Sequence, residues 1–291
     1  MSQKGVIVKG IGGFYYIDAE DGRQYVVKGK NKLRYADVVP TVGDNVIFYP
    51  GEEDQNGWLE DILPRKNRLV RPPVANVELM GIVISPRPRP DYFLVDKLLV
   101  EAYRQGIKPL LIYNKCDMKS AVDEPFKAYD KSIECFNVSA VKQIGLDALR
   151  ERLKTGISCF AGQSGVGKST LINAILGTEL ETGKISRKIQ RGRHTTRSVE
   201  LIKKDGIAVL DTPGFSIVSN LDDMQPEELQ NYYPEFKAFI GKCKFSPCYH
   251  LSEPECAVLN AVEQGIIHKD RMDRYHVLLD EVYQNWRNRY D

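Results

Sequence analysis

Residues 162–169 read Gly162-Gln163-Ser164-Gly165-Val166-Gly167-Lys168-Ser169, the spacing G-x-x-x-x-G-K-[ST]. The chemistry of such a stretch is phosphate binding. Its glycines let backbone N–H groups turn inward around phosphate oxygens, Lys168 reaches the β- and γ-phosphates, and Ser169 is placed to ligate Mg²⁺. A second stretch, Asn114-Lys115-Cys116-Asp117, fits N-K-x-D. The Asp117 carboxylate can accept from guanine N1–H and the 2-amino group. Adenine lacks that amino group and would leave the carboxylate unpaired. The stem of Lys115 can lie along a base, and Asn114 can tie this loop to the phosphate loop. Ser139-Ala140 resembles a short element that closes over guanine O6 with a backbone N–H. Asp211-Thr212-Pro213-Gly214 puts a carboxylate where a site of this kind holds Mg²⁺ through water, with the Gly214 N–H near the γ-phosphate.

Cys243-x₄-Cys248-x-His250-x₅-Cys256 collects three sulfurs and one imidazole in a short span. Four such ligands with no open position suit one structural Zn²⁺. Cys116, Cys135 and Cys159 lie singly in or beside predicted strands and read as packing residues. His268 and His276 fall in the helical tail and are expected to face solvent. Tyr283, Trp286 and Arg289 make that tail a docking face or an ordinary packed helix.

These residues need elements to hold them. Short β-type runs at 5–9, 14–19, 24–28, 45–49 and 58–63, separated by Gly12-Gly13, Asp21-Gly22 and Asn56-Gly57, predict a small barrel of the OB or SH3 type. Tyr15, Tyr16, Tyr25 and Arg34 would offer RNA stacking and charge, or the rings fill the barrel. Residues 63–73, with cations and prolines, read as a linker. Strands at 79–85, 108–113, 132–138, 156–161, 199–203 and 207–210 alternate with helical stretches. One of these spans 91–105, with Asp91 as N-cap and Gly106 as stop. The alternation predicts a mostly parallel α/β sheet with helices on both faces. The predicted division is 1–68, 69–222 and 223–291, the last helical and strand-poor. The 291 residues carry 42% hydrophobic and 27% charged side chains, the usage of a soluble globular chain, and a net charge of only +2. No run is long enough to span a membrane and no secretory signal opens the chain. A cytoplasmic monomer with reduced thiols is expected.

The base-reading motif precedes the phosphate loop, and Asp211 comes last. This order resembles the circularly permuted GTPases, in which the chain enters the same packed sheet at a different strand. Lys184, Arg187, Lys188, Arg191, Arg193 and Arg197 surround Gly192-Arg193-His194-Thr195-Thr196 without an acidic residue in the stretch. It reads as a switch in which Thr195 or Thr196 ligates Mg²⁺ and the cations touch RNA phosphates, or as a solvated loop. Phe215 stands where Ras-like enzymes carry a water-orienting Gln, so another group must orient water. His194 is the candidate, or it contacts a partner instead. Barrel, N-K-C-D, G-Q-S-G-V-G-K-S, D-T-P-G, G-R-H-T-T and the Cys/His set together resemble the bacterial ribosome small-subunit-dependent GTPase A family over essentially the whole chain. The resemblance implies an OB-fold barrel, a permuted P-loop GTPase domain and a helical zinc domain. It also implies GTP hydrolysis stimulated by the 30S subunit during late maturation, and contact with 16S rRNA. It extends the phosphate and Mg²⁺ contacts over Gly162 to Thr170. A GTPase of another pathway and an RNA-binding module with a relic nucleotide site are the alternatives.

Overall fold

The computed structural model describes residues 1–29, 39–52, 55–70, 72–119, 124–129, 131–178, 199–211, 221 and 223–289. Arg34, the stretch 184–197 with His194, Thr195 and Thr196, and the pair Gly214 and Phe215 lie outside them.

Alternating apolar residues between turn pairs build β1 (Gln3–Ile11), β2 (Phe14–Ala19), β3 (Gln24–Gly29), β4 (Asn45–Glu52) and β5 (Gln55–Ile62). β1 pairs with β2 and β4, β2 with β3, β3 in parallel with β5, and β5 with β4, which closes a five-stranded barrel. Its interior holds Ile7, Ile17, Val27, Val46, Phe48 and Leu59, all fully buried. Tyr15, Tyr16 and Tyr25 lie half-buried against the same core. The Tyr25 ring sits 5.4 Å from that of Phe48, and its hydroxyl donates to Asp21 at 2.7 Å.

The expected linker is a docked segment. Arg65 makes a two-pronged bond to the fully buried Asp44, at 2.6 and 2.8 Å. β6 (Arg68–Leu69) pairs with β7 (Val74–Ala75), and Leu69 and Val74 enter the core. Gly43, at φ +93°, lies so close to this hairpin that a Cβ would come within 2.2 Å of the Ala75 carbonyl oxygen. One apolar pair on each side of a short proline-bearing stretch leaves no periodicity to detect.

From Val77 the strands read as continuous apolar runs, the pattern of strands covered on both faces. β8 (Val77–Ile84), β9 (Lys108–Tyr113), β10 (Glu134–Asn137), β11 (Ile157–Ala161) and β13 (Ile207–Asp211) are parallel, in the order β10-β9-β8-β11-β13. β12 (Glu200–Lys204) runs antiparallel beside β13 and also meets β1, so barrel and α/β sheet form one 11-stranded sheet. α1 (Tyr92–Arg104) packs Val95, Leu98, Leu99 and Ala102 on one face of the sheet. α2 (Leu146–Leu153) and α3 (Lys168–Leu176) cover the other, over Leu79, Val83, Leu110 and Ile112. Asp91 caps α1 by accepting from the Leu94 N–H at 3.0 Å, and Gly106 ends it at φ +66°.

Beyond residue 220 the described chain is helical. It has 3₁₀ turns at Pro226–Tyr232 and Pro234–Phe236, then α4 (Ala257–Glu263) and α5 (Lys269–Arg287). Leu229, Tyr233, Phe236, Tyr275, Leu278 and Val282 form its core, joined by Val100 from α1. α1 is thus apolar toward two neighbours. Along the same contact, Asp96 of α1 is fully buried and meets Arg271 at 2.6 Å and Arg274 at 2.7 Å, both from α5. The Tyr129 hydroxyl donates to Asp96 at 2.6 Å, and Arg271 also pairs with Glu235 at 2.6 Å.

Candidate functional site

The phosphate loop leaves the carboxyl end of the central strand β11 and enters α3, which begins at Lys168. Two of its glycines answer to close packing. A Cβ on Gly162, at φ +134°, would lie 2.2 Å from the Val83 carbonyl oxygen of neighbouring β8. A Cβ on Gly167, at φ +93°, would lie 2.7 Å from Asn114 Nδ2. Ser164, Gly165 and Ser169 are exposed, Thr170 is half-buried, and Val166 turns into the core. The Lys168 ammonium donates to the carbonyls of Gly162 (2.7 Å) and Gln163 (2.8 Å), so it lies folded over its own loop. Burial lowers its pKa. A half-buried cation folded over the loop at the N-terminus of α3 suits an anion.

The N-K-x-D stretch lies at the carboxyl end of β9, two strands from β11, and the fold ties it to the phosphate loop. Asn114, 1% exposed, donates from Nδ2 to the Val166 carbonyl at 3.0 Å and accepts at Oδ1 from the Ala140 N–H at 3.2 Å. The Lys115 ammonium bridges the carbonyls of Gly165 (2.6 Å) and Arg87 (2.7 Å). Asp117 is exposed at the loop tip. Ser139 is buried, and its hydroxyl accepts from the Lys142 N–H at 3.1 Å. Three motifs far apart in sequence therefore converge on one edge of the sheet. Asp211 ends β13 at the same edge. Burial and, secondarily, Glu200 on β12 raise its carboxyl pKa. His194, Thr195, Thr196 and Gly214 have no described position.

Two contacts of this site escaped the sequence reading. The loop Ser85-Pro86-Arg87-Pro88-Arg89-Pro90 supplies a carbonyl to Lys115, and the Asp91 N–H donates to Gln163 Oε1 at 3.1 Å. A proline-studded stretch directly after an apolar strand was the available signal.

Near the other end of the chain, the ligand atoms of Cys243, Cys248, His250 and Cys256 all lie within 4.8 Å of one another. Cys256 Sγ stands 3.8 Å from both other sulfurs and 3.3 Å from His250 Nδ1. A tetrahedron with Zn–S bonds of about 2.3 Å has edges of ~3.8 Å, so the set is compatible with zinc. His250 points Nδ1 at the sulfurs, and its Nε2 lies 2.9 Å from Gln230 Oε1. His276, expected to face solvent, lies half-buried with Nε2 2.7 Å from the His250 carbonyl oxygen. Half-buried His268 caps α5, accepting from the Asp270 N–H at 3.2 Å. The role of His276 does not follow from helical periodicity, because its partner lies outside the helix, and His268 acts on the backbone of the first turn of α5 as its N-cap. Cys159 is fully buried and its thiol is pushed up to about 12 by desolvation, in keeping with packing.

Comparison with known proteins gives these geometries a family. The RsgA N-terminal domain matches residues 4–59 and the RsgA GTPase domain residues 62–220. The small ribosomal subunit biogenesis GTPase RsgA of Halalkalibacterium halodurans is 41% identical over 295 residues, covering 99% of each chain. Its namesake in Caldanaerobacter subterraneus subsp. tengcongensis is 43% identical over 99% of this chain and 98% of its own. The crystal structure of YjeQ from Thermotoga maritima superimposes with a TM-score of 0.84 at 33% identity, covering 97% of this chain and 99% of that one. YloQ, a circularly permuted GTPase, gives 0.81 at 30% identity over 98% and 96%. No helix among the described residues is long and apolar enough to cross a membrane. The late phosphate loop, the parallel sheet entered at β8 and the closed barrel thus fit the fold of a circularly permuted GTPase, and the chain belongs to the RsgA GTPase family of GTP-hydrolysing enzymes.

Proposed function

We propose that this GTPase acts in biogenesis of the small ribosomal subunit, binding the 30S particle and its 16S rRNA in the cytoplasm as a monomer, with hydrolysis stimulated by that particle. The observation that carries the nucleotide chemistry is the tie between the base-reading and phosphate loops. Asn114 reaches Val166 at 3.0 Å and Lys115 reaches Gly165 at 2.6 Å. In this reading Asp117 accepts from the guanine N1–H and 2-amino group, the Lys115 stem lies along the base, and Ser139-Ala140 closes over O6. The backbone from Gly162 to Thr170 surrounds the phosphates, and Lys168 exchanges its two carbonyl partners for β- and γ-phosphate oxygens. Ser169 directly, Asp211 through water, and Thr195 or Thr196 would hold Mg²⁺, which neutralises charge developing between the β- and γ-phosphates. Gly214 meets the γ-phosphate, and His194 orients the attacking water in place of the missing Gln. Cys243, Cys248, His250 and Cys256 hold one structural Zn²⁺. Residues 1–68 form the RNA-binding barrel, 69–222 the GTPase unit and 223–291 the zinc unit.

The test is GTP hydrolysis by the purified protein alone, with 30S and with 50S subunits. Acceleration by 30S only, at least 10-fold, is expected. Lys168→Ala should abolish turnover, and His194→Ala should lower the stimulated rate about 10²-fold, the scale of a lost positioning contact. Turnover indifferent to both subunits overturns the ribosomal reading. Stimulated turnover surviving in His194→Ala overturns the role of that residue alone.

A further inference from the structure

Residues directly opposite one another across an antiparallel ladder project to the same face, with Cβ atoms about 4.5–5.5 Å apart. Lys9 of β1 opposes Glu200 of β12, and Glu200 opposes Asp211 of β13. The three side chains therefore stand in one row that starts on the barrel and ends at the nucleotide edge. Lys9 Nζ lies 2.8 Å from Glu200 Oε2, with the two side chains 28% and 47% exposed. A second ion pair across the same joint, Lys203 to Asp18 at 3.1 Å, holds β12 to the barrel.

Glu200 is thus a second carboxylate one strand away from Asp211, and a cation of the barrel cancels it. We propose that the Lys9–Glu200 pair sets the Mg²⁺ affinity of the nucleotide site through space, Glu200 raising it and Lys9 holding it down. The inference rests on reading Asp211 as the carboxylate on the Mg²⁺ side. Both members are positioning residues: they act on the local field and need not touch nucleotide or ion. Because Lys9 belongs to β1 and Glu200 to β12, a shift of the barrel against the parallel sheet changes the charge beside Asp211.

The experiment titrates Mg²⁺ into the full-length protein with a fluorescent GDP at constant ionic strength. It reads the ratio of GDP affinities with and without Mg²⁺, which by reciprocity measures how strongly the complex holds the ion. Glu200→Gln leaves the Lys9–Glu200 pair with a net positive charge and should raise the half-saturating Mg²⁺ concentration about 3–10-fold, a charge effect at this range and exposure. Lys9→Met leaves a net negative charge and should lower it by a similar factor. The double variant restores a net charge of zero and should return to the wild-type value. Added salt should shrink both shifts. No shift in either single variant, or shifts in the same direction, overturns the proposal, and local distortion would produce the latter. Asp211→Asn separates the two readings. If it leaves the Mg²⁺ response intact, the reading of Asp211 fails and the proposal with it. If it removes the response while Lys9→Met and Glu200→Gln match wild type, only the role of the pair fails.

Discussion

Gln230 has no place in any motif, yet it decides which imidazole nitrogen faces the sulfurs. Its Oε1 lies 2.9 Å from His250 Nε2, so that nitrogen keeps the proton and Nδ1 is left as the donor to a metal. A partner of this kind fixes the tautomer and orientation of a ligating histidine, and its loss costs about 10–100-fold in metal affinity. Gln230→Leu should lower Zn²⁺ affinity by that factor, measured by competition with a chromophoric chelator. An unchanged affinity would mean that the His250 backbone, held through its carbonyl by His276, orients the ring without help. The same logic governs Lys168, whose two carbonyl partners belong to its own loop. Motif spacing names such residues but not the atoms that hold them ready.

Helix α1 carries more of the architecture than its plain amphipathic sequence suggests. Its N-terminus is bonded to Gln163 of the phosphate loop, one side covers the sheet, and Val100, Asp96 and Glu101 are buried. Lys97 reaches Glu281 of α5 at 2.6 Å, and Arg104 pairs with Asp223 at 2.6 Å. Glu101 is 9% exposed, and burial is the largest influence raising its carboxyl above the ordinary 4.5, against a smaller opposing effect of Arg104. The charged form is therefore disfavoured in the native state. This destabilisation is fully present above the raised native value and absent below pH 4.5, where the carboxyl is protonated in both states. Glu101→Gln should raise the melting temperature at pH 7–8, with a gain that falls as the pH drops and vanishes below about 4.5. Thermal denaturation of both proteins across that range checks it. A gain independent of pH would show that packing, not charge, separates them.

The association of the C-terminal unit with the α/β unit rests on an apolar contact with charges inside it. Arg271 is 1% exposed and Asp96 is fully buried. The Arg271 guanidinium stacks 4.4 Å from the Tyr233 ring centre while pairing with Asp96 and Glu235. Removing one partner of a buried pair strands the other charge, at a cost of about 3–5 kcal/mol. Arg271→Met should destabilise by about 3 kcal/mol, near the low end because Arg274 and Tyr129 still serve Asp96. Urea unfolding of the intact protein measures this. A loss below about 0.5 kcal/mol, the usual range of a surface change, would mean that the pair is not a determinant of the contact. The opposite joint is built differently: β12 extends the sheet into the barrel through backbone pairing and the Lys9 and Lys203 ion pairs.

The features legible in the residues alone are local ones. Period-two runs and Gly-bearing turns placed β1 to β5, apolar runs placed the parallel strands, and Asp91 and Gly106 bounded α1, because hydrophobic period, turn chemistry and caps act over a few residues. The phosphate loop, N-K-x-D and the Cys/His set were legible for the same reason, since their chemistry requires fixed residue types at fixed spacing. Which distant groups meet is settled by packing in three dimensions. It docked the expected linker through Arg65 on Asp44 and the pairing of β6 with β7, gave His276 a carbonyl partner, buried Asp96 against α5, and aligned Lys9 with Glu200 and Asp211. Each depends on register and packing between elements remote in the chain. Polar contacts of this kind hold because pairing offsets the cost of burying the groups, and neither surface records its partner in its own periodicity.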